Sequence, residues 1–248
     1  MNIAVPVKYV PDTETKVKID SDGKSINPAG VSFVMNPYDE FALEEALKIK
    51  EASGGEVTVV TLGDEDAVKV LRTGLAMGAD KAIHINEGGW HDSLAAAKIL
   101  ANALKDRDFD LYFLGMKAVD GDAGAVGPML AEILGLPCVS MITRLDISDG
   151  KATARRESEY GVEVIETSLP AVFTAQKGLN EPRYASLKGI MMAKKKPVET
   201  LEAMDTASTV EVVEMSYPPE RAAGKIVGEG PEAVPELVKL LKEEAKVL

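Results

Sequence analysis

Apolar positions along the chain follow two alternating patterns. Runs of strand length occur at Asn2–Val7, Glu56–Leu62, Lys81–Ile85 and Phe109–Leu114. Between them lie longer stretches with apolar residues at helical spacing: Asp39–Ala52, Glu65–Met77, Asp92–Lys105 and Ala125–Leu134. In the first of these, Phe41, Ala42, Ala46, Leu47 and Ile49 share a face, while Glu44 and Glu45 precede Lys48 and Lys50 at the spacing of an exposed helix surface. Gly54-Gly55, Gly78 and Gly135 followed by Pro137 are the expected stops, and Asp92 or Ser93 the expected cap of the third helix.

Strand and helix alternating at this spacing imply right-handed crossovers: a doubly wound parallel sheet with helices on both faces. Uninterrupted apolar strands suit a sheet buried on both sides. After Pro137 the pattern changes. Ser140–Ile147, Ala152–Glu159, Glu163–Ser168 and Ala171–Thr174 read as strands, with Asp149-Gly150 and Tyr160-Gly161 as turns, and are expected as added antiparallel hairpins. Thr200–Tyr217 is mixed, Pro218–Gly230 reads as an extended arm, and Pro231–Lys246 as a helix with Val234, Leu237, Val238, Leu241 and Ala245 on one face. The predicted organisation is an α/β domain over 1–200 and a C-terminal arm and helix over 201–248, free to dock on its own domain or to embrace a partner.

Composition narrows the function. The 248 residues are 46% hydrophobic and 27% charged, with a net charge of −12, a surface that repels nucleic acid and anionic membrane. Cys138 is the sole cysteine, so the chain alone forms no disulfide and no cysteine-ligated cluster, which suits a reducing compartment. His84 and His91 are the only histidines and lack ligand partners in the sequence, so no metal site is expected. The N-terminal MNIAVPVKYV is not a signal peptide, and no apolar run reaches membrane-spanning length, so a cytoplasmic protein is expected.

The strongest chemical signal is GMKAVDGDAGAVGPML, Gly115 to Leu130, between a buried strand and a helix. Ligands of open parallel sheets bind at the carboxyl ends of the strands. Gly121, Gly124 and Gly127 would let main-chain N–H groups approach a phosphate at the helix N-terminus. The spacing matches neither GxGxxG nor GxxxxGK[ST], so nucleotide hydrolysis has no support. Asp120 and Asp122 lie beside the proposed anion and must cap the helix or face away. VMNPYDEF, Val34 to Phe41, places Asn36-Pro37 at a turn and Asp39 where it can cap the next helix; it is expected over the same crevice, with Leu62-Gly63 as floor.

LNEPRYASLKGIMMAKKKP, Leu179 to Pro197, combines five positive charges with exposed-looking apolar residues. Tyr184, Leu187 and Ile190 or Met191 recur on one face of a short helix. A core helix and a surface for another protein both fit. A nucleic-acid patch does not: the lysines lack interleaved aromatics, and the chain is acidic.

These segments together resemble the beta subunits of electron-transfer flavoproteins. The similarity runs through AVPVKYVPD, MNPYDEFALEEALKIKE, LRTGLAMGAD, the glycine loop, RRESEYGVEVIETSLPAVFTA and LNEPRYASLKGIMMAKKKP, nearly the whole chain in order. The resemblance implies a Rossmann-like, adenine-nucleotide-binding α/β fold and a heterodimer with an alpha subunit that holds most of the FAD. It implies a nucleotide site lined by Pro6, Asn36, Pro37, Tyr38, Asp39, Leu62, Gly115, Lys117, Asp120, Gly121, Asp122, Ala123, Gly124, Ala125, Val126 and Gly127. It makes 179–197 a recognition segment for flavin dehydrogenases such as acyl-CoA dehydrogenases, with Tyr184, Leu187, Ile190 and Met191 as docking side chains and Leu187 as anchor. Electrons would pass to a quinone oxidoreductase or another acceptor, in fatty acid beta-oxidation.

The family's respiratory members hold AMP in this subunit. Its electron-bifurcating members hold a second, NADH-reacting FAD and carry a DGDTAQVGP-like loop. This chain reads DGDAGAVGP, whose frame resembles the bifurcating members while NEPRYASL resembles the respiratory ones; Ala123 and Ala125 in place of Thr and Gln favour AMP, with a bifurcating beta subunit holding a second FAD as the alternative. No catalytic residue is expected, because a bound flavin must supply the redox chemistry. The alternative from another class is an adenine-nucleotide-binding regulatory protein of similar fold, which needs the glycine loop but not the recognition segment.

Overall fold

The computed structural model describes residues 1–220 and 223–248, and the chain divides into two compact units, Met1–Val213 and Glu214–Leu248. The first unit opens with β1 (Asn2–Pro6), β2 (Tyr9–Pro11), β3 (Phe33–Met35), α1 (Pro37–Ser53) and β4 (Glu56–Gly63). It continues with α2 (Val68–Met77), β5 (Lys81–Asn86), α3 (Ser93–Leu104), β6 (Leu111–Gly115) and α4 (Val126–Leu134). Then come β7 (Cys138–Ser148), β8 (Lys151–Ser158), β9 (Gly161–Ser168), β10 (Ala171–Ala175), α5 (Leu187–Ala193) and β11 (Glu199–Glu202). The second unit carries a 3-10 turn, Pro231–Ala233, leading into α6 (Val234–Glu243).

Nine strands form one sheet in the order β11-β5-β4-β1-β6-β10-β7-β8-β9. From β11 to β7 every pairing is parallel; β7, β8 and β9 form an antiparallel ribbon at the far edge. The alternation of side chains in each strand builds two cores. Ile3, Val5, Val57, Val59, Leu111, Phe113 and Phe173 pack beneath α1 and α2. Ala4, Val60, Ile83, Ile85, Tyr112, Leu114 and Val172 pack beneath α3 and α4. Both faces of the central strands are dry, which is why their sequences show apolar runs rather than alternation.

The added ribbon is antiparallel as expected, but Ala171–Thr174 is not part of it. β10 is a parallel strand inserted between β6 and β7, and all five of its residues are buried. Two further features carry no clear sequence pattern. β2 and β3 form a three-residue antiparallel pair supported by stacking of Tyr9 on Phe33. β11 joins the edge beside β5 through backbone pairing despite the polar sequence ETLE.

α3 begins as the sequence suggests: Asp92 is its N-cap and accepts from the Ala95 N–H at 2.7 Å. The other Asp92 oxygen takes both the hydroxyl and the N–H of Thr209 and the N–H of Val210, tying the end of the first unit to α3. These donors hold the carboxyl down at about 2, led by the Ala95 N–H.

Candidate functional site at the carboxyl edge of the sheet

β1 lies between β4 and β6. The chain leaves β1 toward β4 and β5 on one side, then crosses back to add β6 on the other. The carboxyl ends of β1 and β6 therefore diverge at a topological switch point, the usual ligand crevice of such sheets. Pro6 ends β1 there, buried, and Leu62 stands near the end of neighbouring β4, partly buried. The Val7 N–H donates to the Val60 carbonyl at 2.8 Å, and the Thr61 hydroxyl donates to the Val7 carbonyl at 2.8 Å.

Two side chains of the VMNPYDEF segment brace the crevice. Asp39 is not the cap of α1; α1 begins at Pro37, which places Asp39 in its first turn with the side chain buried. Its carboxylate accepts from the Lys8 N–H at 2.7 Å and from the Gly115 N–H at 3.0 Å, linking the exits of β1 and β6. Burial pushes this carboxyl up to about 7, against the opposing pull of the donors. Asn36 holds the N-cap position without a side-chain cap bond. Instead its amide donates to the Lys117 carbonyl at 3.0 Å and accepts from the Val119 N–H at 3.1 Å, pinning the start of the glycine loop.

The glycines divide into two roles. A Cβ on Gly115 would lie 2.4 Å from Asp39 Oδ1 and 2.7 Å from Tyr38, so Gly115 permits α1 to approach β6. A Cβ on Gly127 would lie 2.5 Å from Thr174 Cγ2, so Gly127 seats α4 against β10. Gly121 has open space around it, and Gly124 takes a left-handed φ of +61° at the loop's exit. Residues 120–124 are exposed, Ala123 among them, while Ala125 and Val126 are half-buried at the start of α4. Ala125, the N-cap of α4, makes no side-chain cap bond, so among the described residues the first-turn N–H groups have no side-chain acceptor.

The two loop aspartates do not face the crevice as bare charges. Lys8 binds Asp120 at 2.7 Å, and Lys117 binds Asp122 at 2.7 Å. Asp122 in turn holds the Lys117 ammonium above its ordinary range. Sequence reasoning singled out Lys117 but missed Lys8; its place directly after β1 was the available signal. An uncapped helix end, an open glycine loop and paired aspartates together fit an anionic group such as a nucleotide phosphate.

Histidine contributes by support. Buried His84 places Nε2 2.9 Å from the Gly63 carbonyl and 3.0 Å from that of Asp64, bracing the turn after β4.

Tyr184, Leu187, Ile190 and Met191 lie elsewhere, on the segment that crosses α1 and α2. α5 starts only at Leu187, with Ser186 as its N-cap, so Tyr184 precedes the helix rather than sharing its face. The core-helix alternative is overturned: Leu187 is 84% exposed and Tyr184 97%, and Ile190, Met191 and Met192 are exposed as well. Of α5, only Ala193 enters the core.

The family model described as "Electron transfer flavoprotein domain" matches residues 25–206. The electron transfer flavoprotein subunit beta of Bacillus subtilis (strain 168) is 46% identical over 259 positions, covering 100% of both chains. That of Syntrophomonas wolfei is 43% identical, covering 100% of this chain and 98% of its own. The mitochondrial subunit beta of Arabidopsis thaliana is 40% identical, again over 100% of both chains. Among the described residues, no helix is long and apolar enough to cross a membrane.

Proposed function

The chain belongs to the electron transfer flavoprotein family as a beta subunit, and on that premise we propose that it is the nucleotide-binding and dehydrogenase-docking half of a heterodimeric electron carrier. Its alpha subunit holds the FAD, which when bound supplies the redox chemistry. The present chain binds AMP, docks the electron donor and embraces the alpha subunit with its C-terminal arm. The donors we assign are flavin dehydrogenases of the acyl-CoA dehydrogenase class in fatty acid beta-oxidation, the acceptor is a quinone oxidoreductase, and the compartment is the cytoplasm.

One observation carries the nucleotide assignment. At the switch point, Asn36 and Asp39 fix both strand exits while the glycine loop leads into an uncapped α4. A phosphate is held there by main-chain N–H groups of the start of α4 and of the loop, other than those of Gly121 and Asp122, which already donate to the Asp120 side chain and the Ala118 carbonyl. Pro6, Tyr38 and Leu62 stand at the strand exits as its apolar walls. Ala123 and Ala125 offer no polar side-chain contacts to a longer ligand, which supports AMP over a second FAD.

The exposed apolar side chains of 184–191 support the docking role, with Leu187 as anchor. Methionines beside it give an adaptable surface. Coexpression with the alpha subunit is expected to yield a yellow heterodimer; a stable but colourless pair contradicts the reading.

A further inference from the structure

The apolar face of 184–191 is carried by a segment with little core of its own. α5 has seven residues, too few to persist as an isolated helix, and buries only Ala193. Its conformation must come from what holds it from outside, and both of its flanks are fastened by arginine.

On the entry side, Arg183 makes four side-chain hydrogen bonds to two carboxylates of α1. Its guanidinium donates to Glu44 at 2.8 Å and 2.9 Å, and also to both oxygens of Glu51. The Arg183 main-chain N–H reaches Glu44 as well, at 3.1 Å. Glu44 is buried, so this pair is not a solvated surface contact. Just upstream, the Asn180 amide donates to the Phe41 carbonyl at 3.0 Å and to Glu45 at 2.9 Å.

On the exit side, a second arginine reaches up from α2. Arg72 Nη1 donates to the carbonyls of Ala193 at 2.7 Å and Lys196 at 2.6 Å, satisfying acceptors at and just beyond the C-terminal end of α5. The Lys196 ammonium donates to the Ala79 carbonyl just beyond α2. Between the two fastenings α5 rests directly on α2: a Cβ on Gly189 would sit 2.3 Å from the Ala76 carbonyl oxygen.

We propose that Arg72 and Arg183 are positioning residues for docking, clamping 183–196 so that Tyr184, Leu187 and Met191 are presented in their binding arrangement before the dehydrogenase arrives. This inference rests on the docking role assigned above and adds its physical basis. A surface ordered in advance loses less conformational freedom on binding. When only a fraction of molecules hold the competent arrangement, apparent affinity falls by that fraction. The clamp also gives Lys196 a structural role, separating it from Lys194 and Lys195, which are exposed.

The test uses the coexpressed heterodimer with Arg72→Ala, with Arg183→Ala, and with Glu44→Gln combined with Arg183→Gln. The double variant removes the ion pair without leaving Glu44 buried and unpaired, so it reports even where Arg183→Ala fails to fold. Hydrogen exchange at the amides of 187–193 and steady-state electron transfer from a reduced acyl-CoA dehydrogenase are measured, with nucleotide content as control. Faster exchange confined to this segment is expected. With the competent state reduced to about a tenth, KM for the dehydrogenase rises about tenfold while kcat and nucleotide content hold. Leu187→Ala is run beside them. Clamp variants with wild-type exchange, or with unchanged KM where Leu187→Ala raises it, overturn the clamp alone. Unchanged KM in Leu187→Ala overturns the docking role and the clamp's purpose together.

Discussion

The Asp39 carboxylate accepts the Gly115 main-chain N–H at 3.0 Å, while its other oxygen accepts that of Lys8 at 2.7 Å. One side chain on α1 thereby fixes the exits of β1 and β6, the two strands that bound the crevice. Gly115 is required at its end of the contact because any Cβ there would collide with the same carboxylate.

Removing this brace leaves two main-chain donors without their acceptors. At about 1–3 kcal/mol for each unsatisfied group, Asp39→Ala is expected to cost roughly 2–6 kcal/mol of stability. Urea unfolding checks the loss, and calorimetric titration with AMP checks that affinity falls with it.

The same carboxyl gives a pH signature. Its folded value, about 7, lies above the unfolded value of 3.8. The folded chain therefore holds the proton more tightly, and stability contributed by this group is fullest below the lower value and declines as pH rises through about 7. Asp39→Asn removes that slope. Unfolding curves of both proteins across this window decide it, and identical pH dependence contradicts the assignment.

Asp92 has the opposite sign. Its folded value, about 2, lies below the usual 3.8. Its stabilising effect is present above the usual value and is lost as pH falls through about 2. Acidification is expected to expose the amides of Thr209 and Val210 to hydrogen exchange, and Asp92→Asn to do so at neutral pH.

Gly127→Ala drives a methyl group to 2.5 Å from Thr174 Cγ2. Overpacking of this kind costs about 1–3 kcal/mol. Thr174→Ser removes the opposing methyl but keeps the hydroxyl that accepts the Met141 N–H at 2.8 Å. The double variant is expected to recover thermal stability that the single variant loses.

Leu187→Ala separates docking from folding. A side chain this exposed contributes within about 0.5 kcal/mol to stability. An unchanged melting temperature with slower electron transfer from the dehydrogenase is expected.

The doubly wound core was legible because its strands are apolar on both faces and its helices are amphipathic. β10 was not: AVFTA follows a hairpin in sequence, and nothing local says that it slips between β6 and β7. β11 was hidden by its polar side chains, since backbone pairing alone secures an edge strand, and β2 and β3 by their brevity. At the site, glycine spacing marked the loop, but the packing roles of Gly115 and Gly127 depend on Tyr38, Asp39 and Thr174, which lie far along the chain. Asp39 stood where a cap is expected, and only its burial shows that it joins two strand exits. Mixed grease and charge in 179–197 was visible, yet its meaning depends on Glu44, Glu51 and Arg72 from other helices.

The central claim concerns what the switch-point crevice binds, and one measurement reaches it directly: denature the purified heterodimer and identify the released nucleotides by mass. AMP from this subunit, beside a single FAD from its partner, is the predicted result. A second FAD in place of AMP would assign the bifurcating variant instead, and ATP would favour a regulatory nucleotide-binding protein. Release of no adenine nucleotide beyond that single FAD would contradict the account.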